Sequence, residues 1–415
     1  MGPPKGGLIR PVDTVVLKNR ESEESMKRRD FTKALSVQAV AVSALPSVLT
    51  ASNDVDIEEV DIEKPMDQAS DLVDLFYAHM KLCEVKEGET FLFYATPGIQ
   101  RKEYITASLA AAKLLGANAF SLVATSNSSA TSNRDLAPSQ LLEETFLASD
   151  IVYGQIPLYT DAHNAALAAG TRTLMVGQGV ETLKRMYPHE DVIKRTYAGA
   201  EVLRTANEIR VTDDFGSDFT LRKDGRKGHA QVGISKDKGR WDHWPSGLIA
   251  CGPIETESNG IYVVKEGDVI LGLQHRATSD VTITLEGGRL VNIEGGYDAQ
   301  MIRERLELFQ LPDGQQYDSD GNLNDPFRLA HAGWGTEHRA QWQIVGMDSE
   351  SMIGSLMVSI GRNMFGSSDK YAGLHGKNYT PVHIDICCRN KNLYLDGEQI
   401  ISAEGGGKIL PPELQ

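Results

Sequence analysis

The chain has 415 residues, 41% hydrophobic and 24% charged, a composition that excludes a disordered or fibrous protein and allows two or three domains. Its 57 acidic residues outnumber 42 basic ones, for a net charge of −15. That excludes a general electrostatic affinity for nucleic acid and points to a small-molecule partner.

In chain order, residues 1–25 read as a disordered extension, with Met26 a second possible start. The stretch "MKRRDFTKALSVQAVAVSALPSVLTAS" places Arg28 and Arg29 ahead of Phe31, Lys33 and a mildly apolar run. Residues 26–51 thereby resemble a twin-arginine export signal, which implies a periplasmic protein, or a cytoplasmic one if the signal does not function. A surface amphipathic helix with a chance arginine pair is the plainer reading. Gln38, Ser43 and Pro46 interrupt the run, so no stable membrane span is expected.

After an acidic linker over residues 52–66, residues 67–206 alternate apolar strands with helical patterns. "TFLFYA", "NAFSLVA", "DIVYG" and "TRTLMVG" are separated by helix-like segments, which predicts a doubly wound α/β domain with a mostly parallel sheet. Neither GxGxxG nor GxxxxGK[ST] occurs there, so a nucleotide role lacks support. From residue 207 the period shortens to strands with Gly-rich or Asp-Gly turns, predicting an α+β domain over residues 207–402, mainly antiparallel. Two helices are expected within it, at "YDAQMIRERLELFQL" and over residues 349–360, and residues 403–415 read as a flexible tail. The cysteines Cys83, Cys251, Cys387 and Cys388 form no CxxC pair and are too few for a disulfide scaffold.

Near the C-terminus, "VHIDICC" places His383 and Asp385 at positions i and i+2 of a strand. Such side chains share a face, with Cα atoms roughly 6.6 Å apart, and can converge on one cation or simply face water. In "RLAHAGWGTEH", His331 precedes the pair Gly333 and Gly335, which permits close approach to a ligand, with Trp334 offering a flat apolar surface for substrate. If His331 joined His383 and Asp385, the set would match the two-histidine, one-carboxylate signature of non-haem Fe(II) oxygenases. Spacing alone leaves their meeting open, and Glu337 is a competing ligand candidate.

The segments "GLIACGPIETESNG", "LAHAGWGTE" and "VHIDICCRNKNLYLDGEQII", in that order, resemble the family of 2,5-dihydroxypyridine 5,6-dioxygenases, over residues 67–401. The resemblance implies a mononuclear Fe(II) held by His331, His383 and Asp385. It also implies an N-heterocyclic aromatic substrate with O2, a homo-oligomer, and a fold shared with M29-type aminopeptidases. A serine near the iron is expected at Ser367, with Ser368 close behind. Pocket histidines for acid-base work are expected at His163, in "YTDAHNAALAAG", and His243, in "RWDHWPSG"; a structural role for either is the competing reading. Where the peptidases carry two metal-binding glutamates this chain has Leu248 and His331, which removes the second cation and favours oxygen chemistry over hydrolysis. An M29-like metallo-aminopeptidase and a non-catalytic exported protein that binds aromatics are the alternatives.

Overall fold

The computed structural model describes residues 72–124, 140–156, 158, 160–364, 367 and 369–415. The extension, export signal and linker read from the sequence lie outside the described residues, as does Ser368. No helix among the described residues is long and apolar enough to cross a membrane.

Strands β1 (Thr90–Ala95), β2 (Asn118–Val123), β3 (Ile151–Gly154), β4 (Arg172–Val176) and β8 (Trp241–Trp244) form a wholly parallel sheet in the order β2-β1-β3-β4-β8. Central β1 reads TFLFYA, apolar on both faces, because both faces are covered. Phe91 and Phe93 pack with helices α1 (Leu72–Leu82) and α2 (Glu103–Leu114). Leu92 and Tyr94 pack on the other side with α3 (Gln140–Leu147) and α4 (Asp161–Ala169). Helix α4 starts at Thr160, whose hydroxyl accepts from the His163 backbone N–H, and closes at Gly170 in the left-handed region. Two further helices, α5 (Val180–Arg185) and α6 (Glu190–Thr205), complete this half of the chain.

An eight-stranded antiparallel sheet contains β5 (Glu208–Thr212), β6 (Asp218–Arg222), β10 (Ser258–Val264), β13 (Val281–Glu286), β14 (Arg289–Gly295), β18 (Asn392–Leu395), β19 (Glu398–Ser402) and β20 (Lys408–Ile409). Gly287-Gly288 and Asp396-Gly397 all have positive φ and close tight hairpins, as two-residue turns between twisted strands require. Helix α7 (Tyr297–Glu307) contributes Ile302 and Leu306 to the core of this sheet.

The third sheet, antiparallel in the order β12-β11-β17-β16-β15-β9-β7, lies between these layers. Its strands are β7 (His229–Gln231), β9 (Leu248–Cys251), β11 (Val269–Ile270), β12 (His275–Arg276), β15 (Leu329–Gly335), β16 (Leu356–Gly361) and β17 (His383–Cys388). Ile249, Cys251, Leu356, Val358, Ile384, Ile386 and Cys388 point into the core shared with the eight-stranded sheet. Their neighbours Leu248, Ala250, Met357 and Cys387 point into the core shared with the parallel sheet. The vicinal cysteines thus take opposite faces, as strand alternation demands.

Several expectations need correction. The period change near residue 207 does not end the parallel sheet: β8, beyond that boundary, returns to pair with β4. The second expected helix is short, α8 (Met347–Ser351), and the apolar run after it is β16. The tail is built in: β20 pairs with β19, and Leu414 is buried. Gly333 serves the sheet, not a ligand, since a Cβ there would stand 1.8 Å from the Ile249 carbonyl oxygen. Trp334 is not a substrate surface either. It is fully buried, faces the core on the opposite side from His331, and lies against Gly199 of α6, where an added Cβ would meet its ring at 3.1 Å.

Trp334→Ala should therefore lower unfolding free energy by about 3–5 kcal/mol, as loss of a buried aromatic does. Denaturant unfolding checks this, and a loss under 1 kcal/mol would return Trp334 to the surface of the site.

Candidate metal centre

A cavity of about 640 Å³ opens between the parallel sheet and the third sheet. It lies at the carboxyl ends of β1, β3, β4 and β8, through Thr96, Gln155, Gly177 and His243. In a sheet of this strand order the chain winds away in opposite directions from β1 and β3, which leaves a crevice for ligands. Across the crevice, Gln155 Oε1 accepts from the Thr96 N–H at 2.8 Å and its hydroxyl at 3.0 Å.

The opposite wall carries His331, His383 and Asp385. Alternation along β17 puts His383 and Asp385 on the face that looks into the cavity. His331 reaches the same face because of a bulge: the β15–β16 register shifts between Leu329 and His331. An unbulged strand would align His331 with Leu329, in the core; the extra residue turns it to the cavity.

The three side chains converge. Nε2 of His331 stands 3.2 Å from Nε2 of His383 and 3.3 Å from Asp385 Oδ1, and His383 Nε2 is 3.1 Å from the same oxygen. Donors about 2.1 Å from one cation lie roughly 3.0 Å apart at right angles and 3.4 Å apart in a tetrahedron. The separations fit a single small cation. It is the one cluster of three or more His, Cys, Asp or Glu side chains with suitable donor spacing among the described residues. His383 Nδ1 donates to the Arg362 carbonyl at 2.7 Å, which leaves Nε2 with its lone pair free for the cation. Ser359, paired with Asp385 across β16 and β17, donates its hydroxyl to Asp385 Oδ1.

Burial lowers the basicity of His331, outweighing the opposing pull of Asp385. Burial alone would raise the Asp385 carboxyl, but the two imidazoles hold it well below the usual range. Both effects keep His331 and Asp385 in their ligating forms, whereas at His383 burial is outweighed by the pull of the Asp385 carboxylate, which raises the imidazole, so a cation binding there displaces a proton.

The structure separates the other candidates. His243 lines the cavity, its Nδ1 donating to the Pro245 carbonyl at 3.0 Å, and burial lowers its pKa to about 4. His163 does not line the cavity: it is fully buried, with Nε2 2.9 Å from the Thr173 hydroxyl, because the third position of α4 faces the sheet. Its pKa falls to about 3 through burial. Ser367 also lies outside the cavity lining; its hydroxyl donates to the Gly239 carbonyl. Glu337, the competing ligand, is held by the Arg339 guanidinium at 2.7 Å, away from the cluster. Leu248 lines the cavity, so an apolar side chain stands where a second carboxylate was looked for. Two groups went unread. Ser359 was signalled only as a hydroxyl inside the apolar run "LMVSIG". Glu350, on α8, is a cavity-lining carboxyl 8% exposed, and burial together with the charge of Asp385 pushes it well above the usual carboxylate range.

Comparison with known proteins identifies the family. The family model for NicX, 2,5-dihydroxypyridine 5,6-dioxygenase, matches residues 71–407. A 2,5-dihydroxypyridine 5,6-dioxygenase of Pseudomonas putida is 31% identical over 290 residues, 67% of this chain and 75% of that protein. The solved structure of 2,5-dihydroxypyridine dioxygenase from Pseudomonas putida KT2440 is similar with a TM-score of 0.73 at 26% identity, covering 83% of this chain and 98% of that one. AmpT from Thermus thermophilus shares the fold, with a TM-score of 0.52 at 12% identity over 83% of this chain and 98% of its own.

His331→Ala, His383→Ala and Asp385→Ala should each abolish retention of a bound metal after gel filtration with the circular dichroism spectrum unchanged. Ser359→Ala should weaken metal affinity roughly 10- to 100-fold, the usual effect of removing a group that orients a ligand. Metal content by plasma mass spectrometry reads both, and a triad variant that keeps full occupancy takes its residue out of the site.

Proposed function

Because the chain belongs to the 2,5-dihydroxypyridine 5,6-dioxygenase family, we propose that it is a non-haem Fe(II) dioxygenase. It opens the ring of a hydroxylated pyridine, 2,5-dihydroxypyridine or a close relative, and both atoms of O2 enter the product. The observation that carries this reading is the convergence of His331, His383 and Asp385 on one point of the cavity wall. Fe(II) held by His331, His383 and Asp385 would supply the redox chemistry between dioxygen and ring, with three protein ligands leaving room for both.

The remaining work belongs to the chain's own side chains. His243 takes the proton of the ring hydroxyl, which raises electron density at the neighbouring carbon. Its Nδ1 proton is committed to the Pro245 carbonyl, so Nε2 is the accepting atom. With a pKa of about 4 it is neutral above that pH and ready to accept. The same weak basicity returns the proton readily as the ring opens. Trp241, Leu248 and Met357 line the cavity as apolar walls, orienting a flat ring and restricting water around it. Hydrolysis with two cations has less support, because Leu248 occupies the wall where a second site would need a carboxylate.

Iron-loaded protein should consume one O2 per molecule of 2,5-dihydroxypyridine in an oxygen electrode. His243→Ala should lower kcat roughly 100- to 10,000-fold at unchanged iron content, the range for loss of a general acid-base group. Tight ring binding without oxygen uptake at full iron occupancy would reassign the protein as a binder.

A further inference from the structure

We propose that Glu350 is a substrate-positioning residue whose carboxyl group accepts a hydrogen bond from the ring N–H of a hydroxypyridine in its lactam form. The inference rests on the functional reading above and adds the feature that separates a nitrogen heterocycle from a benzene diol.

Glu350 lines the cavity that holds His331, His383 and Asp385, and only 8% of it is exposed. Among the described residues no ion pair or side-chain hydrogen bond engages its carboxyl, and the charge it feels is the like charge of Asp385. A buried carboxyl without a partner is costly, and such groups persist where a ligand completes them. Two other side-chain acceptors of the lining already hold donors. Gln155 Oε1 takes both Thr96 donors, and Gln231 Oε1 accepts from the Ser246 hydroxyl at 3.1 Å. A 2,5-dihydroxypyridine as its lactam carries two donors, the C5 hydroxyl and the ring N–H. The cavity offers each an acceptor, His243 Nε2 for the hydroxyl and the Glu350 carboxyl for the N–H. A carboxyl oxygen accepts whether ionised or protonated, and so does a glutamine carbonyl.

The test is anaerobic calorimetric binding to iron-loaded protein of two rings of the same outline, 2,5-dihydroxypyridine and hydroquinone, which lacks the ring N–H. Glu350→Leu should weaken pyridine binding roughly 10- to 100-fold, the discrimination a site built around one hydrogen bond gives, while hydroquinone changes by less than about threefold. Glu350→Gln should stay within about threefold of the wild type for both rings, since it keeps the acceptor. Equal losses for both rings, no loss for either, or a Glu350→Gln variant as weak as Glu350→Leu overturns the inference. If wild-type holoprotein binds neither ring, the functional reading falls and this inference with it. If the wild type binds and turns over the pyridine while Glu350→Leu is unaltered, this inference falls alone.

Discussion

One constraint governs the site: successive residues of a strand face opposite ways, and a single bulge reverses that order. On β17, His383, Asp385 and Cys387 face the parallel sheet while Ile384, Ile386 and Cys388 face the opposite core. The strand can bear a candidate metal-binding pair on one side only because its other side is fully apolar and anchored. The bulge in β15 then brings His331 onto the same side while Ala332 and Trp334 remain in the core. Remove either feature and the three donors no longer meet.

The third sheet therefore works as a partition. Its core face, packed against the eight-stranded sheet, provides rigidity, and its cavity face provides chemistry. The parallel sheet closes the cavity from the other side with the carboxyl ends of its strands, where the strand order leaves a crevice. Ligands on neighbouring paired strands move little relative to one another. Ser359 and the Arg362 carbonyl, which orient Asp385 and His383, belong to β16 and the residue just beyond it. A site held by strands in register is placed more firmly than one assembled from loops.

Much of this was legible in the sequence where the pattern is local. The parallel strands were visible as short apolar runs between helical segments, the hairpins from Gly-Gly and Asp-Gly turns, and the His383–Asp385 pair from alternation within five residues. What could not be read depends on partners far along the chain. Ser359 meets Asp385 across a strand pairing 26 residues apart, a contact local spacing does not show, whereas Ser367, expected from the family resemblance, donates to the Gly239 carbonyl. Trp334 looked like a ligand surface because the bulge that turns His331 to the cavity, while Trp334 stays in the core, is invisible in spacing. His163 and His243 sit in equally suggestive contexts, and only the packing of α4 against Thr173 separates a core imidazole from one that lines the cavity. Residues 349–360 looked helical because a single turn of helix runs into a strand that is apolar except for Ser359, and periodicity cannot divide so short a run.

The most direct test of the account is X-ray absorption at the iron edge on anaerobically iron-loaded protein. It predicts one iron per chain with two imidazole nitrogens and a carboxylate oxygen at about 2.1–2.2 Å, as this donor set requires. A coordination shell without imidazole, or a second metal at about 3.5–4 Å as in two-metal hydrolases, would contradict it.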